Sequence, residues 1–146
     1  MYAWSAALVA LGFFGVFGSV SAASLYIEPN ETSLFRGDTI TMAIRLDVEP
    51  DECINAVDVV VEYGDVVRAV DVSRGNSIMP LWVEDPTINE EERKITFAGG
   101  IPNGYCGRIL GDPKLSNIIA ELVFRAPGFS VGRGDDTTAA ITFGDE

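Results

Sequence analysis

The stretch Thr39–Val48, TITMAIRLDV, alternates apolar and polar side chains over ten residues. Its apolar parity comprises Ile40, Met42, Ile44, Leu46 and Val48, and its polar parity includes Thr39, Thr41, Arg45 and Asp47. A period of two residues is typical of an antiparallel strand with one face on a core and the other toward solvent. The stretch therefore predicts a half-buried β-strand.

Short segments of the same kind recur along the rest of the chain, separated by Gly- and Pro-rich turns. They are Ser24–Glu28, Ala56–Tyr63, Val66–Ser73, Ile78–Glu84, Ile95–Gly99, Asn117–Ala126 and Thr137–Phe143. Asn117–Ala126 is apolar on both parities, which predicts a central strand, whereas Pro80 favours an edge or a bulge. The pattern predicts an all-β fold, an antiparallel β-sandwich with jelly-roll topology.

The stretch Phe97–Asp112, FAGGIPNGYCGRILGD, holds five glycines and is predicted to be a loop from Gly99 onward. It contains Cys106, and the other cysteine is Cys53. An even number of cysteines in an exported chain indicates a disulfide, so we predict that Cys53 and Cys106 are bonded. Two free, buried thiols are the alternative.

The N-terminus differs from the remainder. Residues 6–17 form an uncharged apolar run, followed by small residues that suit signal-peptidase cleavage after Ala22. We therefore expect a signal peptide over 1–22, helical if folded, and one domain over 23–146 whose C-terminal strand is incomplete. An uncleaved membrane anchor is the alternative. Export predicts a secreted or cell-surface location.

The net charge of −12 and the absence of histidine exclude several classes of function. An acidic chain without a basic face argues against nucleic acids and against membrane insertion by the mature domain. Without histidine, Ser-His-Asp and Cys-His catalysis are impossible and zinc sites improbable. We expect no enzyme, no cofactor and no metal. A glycosidase would need two carboxylates flanking a cleft, which neither 90–92 nor 135–136 indicates.

Several motifs, in this order and spacing, resemble cohesin domains. They are Arg36–Ile40 (RGDTI), Asn55–Val59 (NAVDV) leading to Glu62–Tyr63, Val70–Val72 (VDV), Ile95–Gly100 (ITFAGG) and Ile118–Ala126 (IIAELVFRA). The resemblance covers roughly Ala23–Phe143. Cohesins are nine-stranded jelly-roll modules that bind dockerin modules in extracellular complexes for polysaccharide breakdown, and they share their sandwich with carbohydrate-binding modules.

The resemblance implies a non-catalytic, dockerin-type binding function through one sheet face. It places Asp58 outward, at the position of an Asp that cohesins use to hydrogen-bond dockerin, while a neighbouring Asn of that pattern is Ala56 here. The predicted partner-binding patch comprises Asp58, Val60, Glu62, Thr96, Glu121 and Trp82.

A carbohydrate-binding module is the alternative function. In that case the flat side chains of Trp82 and Tyr105 would stack on the sugar rings of a polysaccharide. The partner is thus predicted to be a protein or a polysaccharide.

Overall fold

The computed structural model describes residues 23–30, 32–108, 111, 116–127 and 140–144. Within these ranges every regular element is a strand. They are β1 Ser24–Glu28, β2 Thr39–Asp47, β3 Ile54–Tyr63, β4 Arg68–Ser73, β5 Leu81–Asn89, β6 Lys94–Tyr105, β7 Ile118–Arg125 and β8 Ile141–Phe143. The predicted signal peptide and residues 137–139 of the last predicted strand lie outside the described residues. No helix with the length and hydrophobicity of a membrane span occurs in the described part of the chain.

The strands form two four-stranded antiparallel sheets, with the orders β1-β2-β7-β4 and β5-β6-β3-β8. This arrangement confirms the all-β sandwich. The position of β7 between β2 and β4 confirms that it is central.

The core lies between the sheets and consists of side chains of one parity from each. Ile44 of β2, Val59 of β3 and Phe97 of β6 are almost completely buried. The ring of Tyr63 meets Phe124 of the opposite sheet edge-to-face, with centroids 5.5 Å apart. The alternation of β2 thus directs its apolar residues as expected.

Strand β6 is longer than the sequence predicted. The prediction ended it at Gly99, but it continues through the glycines to Tyr105. A Cβ on Gly99 would lie 2.6 Å from the carbonyl oxygen of Leu81 and 2.9 Å from Sδ of Met79. Glycine is therefore used here for close packing of β5 on β6, and its presence does not mark a turn.

Strand β5 was predicted over Ile78–Glu84, followed by a loop, and it instead spans Leu81–Asn89. Its pairing with β6 is shifted between Trp82 and Glu84 and again between Glu84 and Thr87. Each bulge interrupts the period of two, which hides the second half of the strand in the sequence. The strand lies at a sheet edge, as Pro80 indicated.

The disulfide between Cys53 and Cys106 is present, as predicted. It joins the residue before β3 to the residue after β6, across a sequence separation of 53 residues. The following segment reaches the other sheet, because Nη2 of Arg108 donates to the hydroxyl of Tyr26 at 2.8 Å. The disulfide therefore fixes the point from which the chain crosses toward β1.

The solvent-side parity of β2 is partly covered by a polar network. Arg45, predicted on the polar face, is only 7% exposed. It lies 2.6 Å from the carboxylate of Glu28 and donates from Nη1 to Oδ1 of Asn117 at 2.8 Å. Asn117 is fully buried and donates to Leu46 O at 3.0 Å and to the Tyr26 hydroxyl at 3.1 Å. The outer side of this sheet is therefore not a free polar surface at Arg45.

Candidate protein-binding face

One side of the β5-β6-β3-β8 sheet is turned away from the core, and we call it the outer face. On β3 it carries Asp58, Val60 and Glu62, because Val57, Val59 and Val61 point into the core. On β6 the residues paired with these three are Ala98, Thr96 and Lys94. The full set is Asp58, Val60, Glu62, Leu81, Glu84, Thr87, Asn89, Lys94, Thr96, Ala98, Gly100 and Thr142.

The centre of the outer face is flat and largely apolar. Val60, Thr96 and Ala98 are half-buried and small. Leu81, which pairs with Gly100, is 52% exposed and lies beside that glycine, so a large apolar side chain stands on the surface. Such a surface has the apolar centre that protein interfaces show.

The rim of the outer face is acidic. Asp58, Glu62 and Glu84 are exposed, and the only cation in the set is Lys94. Nζ of Lys94 lies 3.2 Å from the Glu62 carboxylate, which leaves Asp58 and Glu84 to set the local charge. An acidic rim favours a partner with Lys or Arg at its own rim.

Three pKa shifts are resolved at the end of the sandwich near Tyr63. Burial raises the pKa of the Tyr63 phenol, and the Glu90 carboxylate raises it further. A side-chain hydrogen bond from Arg68 lowers the pKa of Glu90, and the same bond raises the pKa of Arg68. This ion pair joins β4 of one sheet to the turn after β5 of the other.

No cluster of three or more potential metal ligands occurs among the described residues. The calculation includes the exposed carboxylates of the outer face, which stand singly along their strands. The arrangement therefore offers a contact surface, and we describe it as such.

Three solved structures are similar to this one. The cohesin chain of Coh-OlpC-Doc435, a type I cohesin–dockerin complex from Clostridium thermocellum, matches with a TM-score of 0.56 and 18% identity, over 75% of this chain and 71% of that chain. The Coh-OlpA-Doc918 complex from the same organism gives 0.56 and 15%, over 84% and 81%. The seventh ScaB type I cohesin of Pseudobacteroides cellulosolvens gives 0.54 and 17%, over 75% and 68%.

The chain has the cohesin fold. At 15–18% identity the likeness concerns the fold alone. No protein-family profile matches the chain, and no curated protein does. The resemblance noted in the sequence is therefore supported at the level of architecture.

The cohesin fold brings four of the six predicted partner-binding residues together. Asp58, Val60, Glu62 and Thr96 are neighbours on the outer face, with Val60 directly opposite Thr96. Glu121 is not among them, since it lies on β7 of the other sheet and accepts a hydrogen bond from Nδ2 of Asn76 at 3.0 Å.

Trp82 is also not part of the outer face. It pairs with Gly99, and its ring packs on Phe97 at a centroid distance of 5.6 Å. The guanidinium of Arg74 lies 5.3 Å from the centroid of the Trp82 ring. Trp82 thus belongs to the edge of the core.

The structure gives no support to a sugar-stacking platform made of Trp82 and Tyr105. Trp82 lies beside Gly99, while Tyr105 lies six residues further along β6, opposite Ile54. Six residues of strand span roughly 20 Å. Both rings are half-buried and pack against the core cluster, so they do not form one exposed surface.

Sequence reasoning missed Leu81, Glu84, Lys94, Ala98 and Gly100 of the outer face. The signal was available for β6, because its residues opposite Asp58, Val60 and Glu62 follow from pairing two neighbouring strands of opposite direction. For β5 it was not available, because the bulges change the parity along the strand.

Proposed function

We propose that this chain is a non-catalytic extracellular binding module that holds a dockerin-type protein partner on the outer face. The observation that carries the proposal is the cohesin fold with Asp58 exposed on β3 beside an apolar centre. Two of the similar structures are cohesin–dockerin complexes, which supports a protein as the partner. An assembly role in polysaccharide breakdown is part of the same proposal.

The chemistry of the outer face specifies the partner further. Val60 and Ala98 provide a shallow apolar centre that small aliphatic side chains could cover. The carboxylates of Asp58 and Glu84 lie at the rim, where Lys or Arg of the partner would pair with them. Ala56 stands where cohesins carry an Asn, so Asp58 carries more of the polar recognition here.

An extracellular location follows from two supporting features. The Cys53–Cys106 disulfide suits an oxidising compartment, and the apolar run at residues 6–17 has the composition of a signal peptide. We propose that the domain acts outside the cell or on its surface.

The proposal is tested by calorimetric titration with dockerin modules encoded in the same genome as this chain. We expect at least one to bind, and Asp58→Lys to weaken that binding at least 100-fold, since it replaces an attractive rim charge by a repulsive one. The matched control is Asp47→Lys, which makes the same change of charge at an exposed site on β2 of the other sheet.

The control should bind as the unchanged chain does. The proposal is refuted if no dockerin binds. It is also refuted if the two variants lose affinity equally, because the loss would then reflect net charge and not the outer face.

A further inference from the structure

Strand β3 has an open edge. On one side it pairs with β6 along its length, from Ile54 to Glu62. On the other side it pairs with β8 only over Val61–Tyr63, with one further bond from Gly144 N to Val60 O at 2.9 Å. Among the residues that the structure describes, no strand lies beside Ala56 and Asp58 on that side.

The hydrogen bonds define which main-chain groups point to the open side. Gly64 N donates to Ala140 O, and Val60 O accepts from Gly144 N, so even-numbered residues face β8. Tyr63 N donates to Arg93 O, so odd-numbered residues face β6. Because these directions alternate along an antiparallel strand, the N–H and C=O groups of Ala56 and Asp58 point to the open side.

The open edge lacks the usual protection of exposed strands. Edge strands are commonly blocked by Pro, by Lys or by a bulge that turns the edge away. The sequence of β3 from Ala56 to Val60, AVDVV, contains no Pro and no Lys. The register with β6 is regular over the same residues. The edge is therefore a template for one more strand.

We propose that the open edge of β3 binds an extended segment of a protein partner by strand addition, and that this segment alternates apolar with basic residues. Its apolar side would continue the layer of Val57 and Val59, which face the core. Its other side would lie beside Asp58 and Glu62, whose carboxylates match Lys or Arg. Main-chain bonds would supply affinity, and this alternation would supply specificity.

The chain's own charge favours a basic segment over a second copy of the chain. Each copy carries a net charge of −12, so pairing two β3 edges would bring like charges together. The inference adds a mode of contact next to the outer face and does not rest on dockerin recognition. Its test accordingly uses no dockerin.

The test is amide hydrogen exchange, followed by NMR on the isotope-labelled chain, with the peptide acetyl-Val-Lys-Val-Lys-Val-Lys-Val-amide as the probe. In the free chain we expect the amides of Ala56 and Asp58 to exchange at least tenfold faster than those of Val57 and Val59, which bond to β6. With the peptide, the Ala56 and Asp58 amides should slow at least tenfold. The same peptide with Glu in place of Lys should not slow them.

Ala56→Pro provides the matched variant. It removes an N–H on the open side and leaves the bonds to β6 in place, so peptide protection of the Asp58 amide should be lost. Ala56→Ser keeps the N–H and should retain that protection.

Three results would overturn the inference. The Ala56 and Asp58 amides may be slow in the free chain already, which would mean that the edge is covered. The Lys peptide may leave them unchanged, or the Glu peptide may protect them equally. Protection that rises with the concentration of the chain alone would replace the proposed occupant by a second copy.

Discussion

Replacing both cysteines, as Cys53→Ala with Cys106→Ala, is expected to lower the free energy of unfolding by about 4 kcal/mol. The disulfide closes a loop with a sequence separation of 53 residues, and a closed loop of that length removes much of the conformational freedom of the unfolded chain. Equilibrium unfolding in urea, monitored by tryptophan fluorescence, measures the change.

The unchanged chain treated with a thiol reductant is the companion measurement, because it opens the same loop without altering a side chain. Both samples should unfold at a similar, lower urea concentration. Equal midpoints for the oxidised and reduced chains would contradict the stabilising role of the disulfide.

Asn117→Ala is expected to destabilise the fold by about 3 kcal/mol, because it removes several partners from a buried polar network. The side chain accepts a hydrogen bond from Arg45 and donates to the carbonyl oxygen of Leu46 and the hydroxyl of Tyr26. Loss of the amide leaves the Arg45 guanidinium, which is nearly buried, with fewer hydrogen bonds.

The matched control is Asn76→Ala. The side chain of Asn76 is exposed and its amide donates to the Glu121 carboxylate, so the same atoms are removed outside the buried network. We expect a loss below about 0.5 kcal/mol for the control. Similar losses for the two variants in urea unfolding would show that the network does not carry the stability assigned to it.

The fold class was predictable because its evidence is local. The alternation of β2 and the two-sided apolar character of β7 each follow from which faces are buried. The disulfide was predictable because the chain holds only two cysteines. Neither inference needed to know which strands are neighbours.

The features that were not predicted depend on contacts between distant segments. Arg45 reads as a solvent-facing residue, and only its contacts with Glu28 and Asn117 explain its burial. Gly99 reads as a turn residue, although it lies inside β6 because Leu81 passes close to it. Such contacts leave no periodic signal in the sequence.

The candidate site was predictable along one strand and not across the sandwich. The parity of β3 placed Asp58, Val60 and Glu62 together. Glu121 has the same outward parity on its own strand, but parity cannot tell to which sheet a strand belongs. Trp82 depended on the register of β5, which its bulges alter.

The most direct test of the central claim is chemical-shift mapping of the isotope-labelled chain during titration with a dockerin that binds it. The account predicts that the largest changes occur at Asp58, Val60, Thr96 and Ala98 on the outer face. Residues on the opposite surface, such as Thr41 and Val123, should change little. Largest changes at Thr41 and Val123, with the outer face unaffected, would contradict the account.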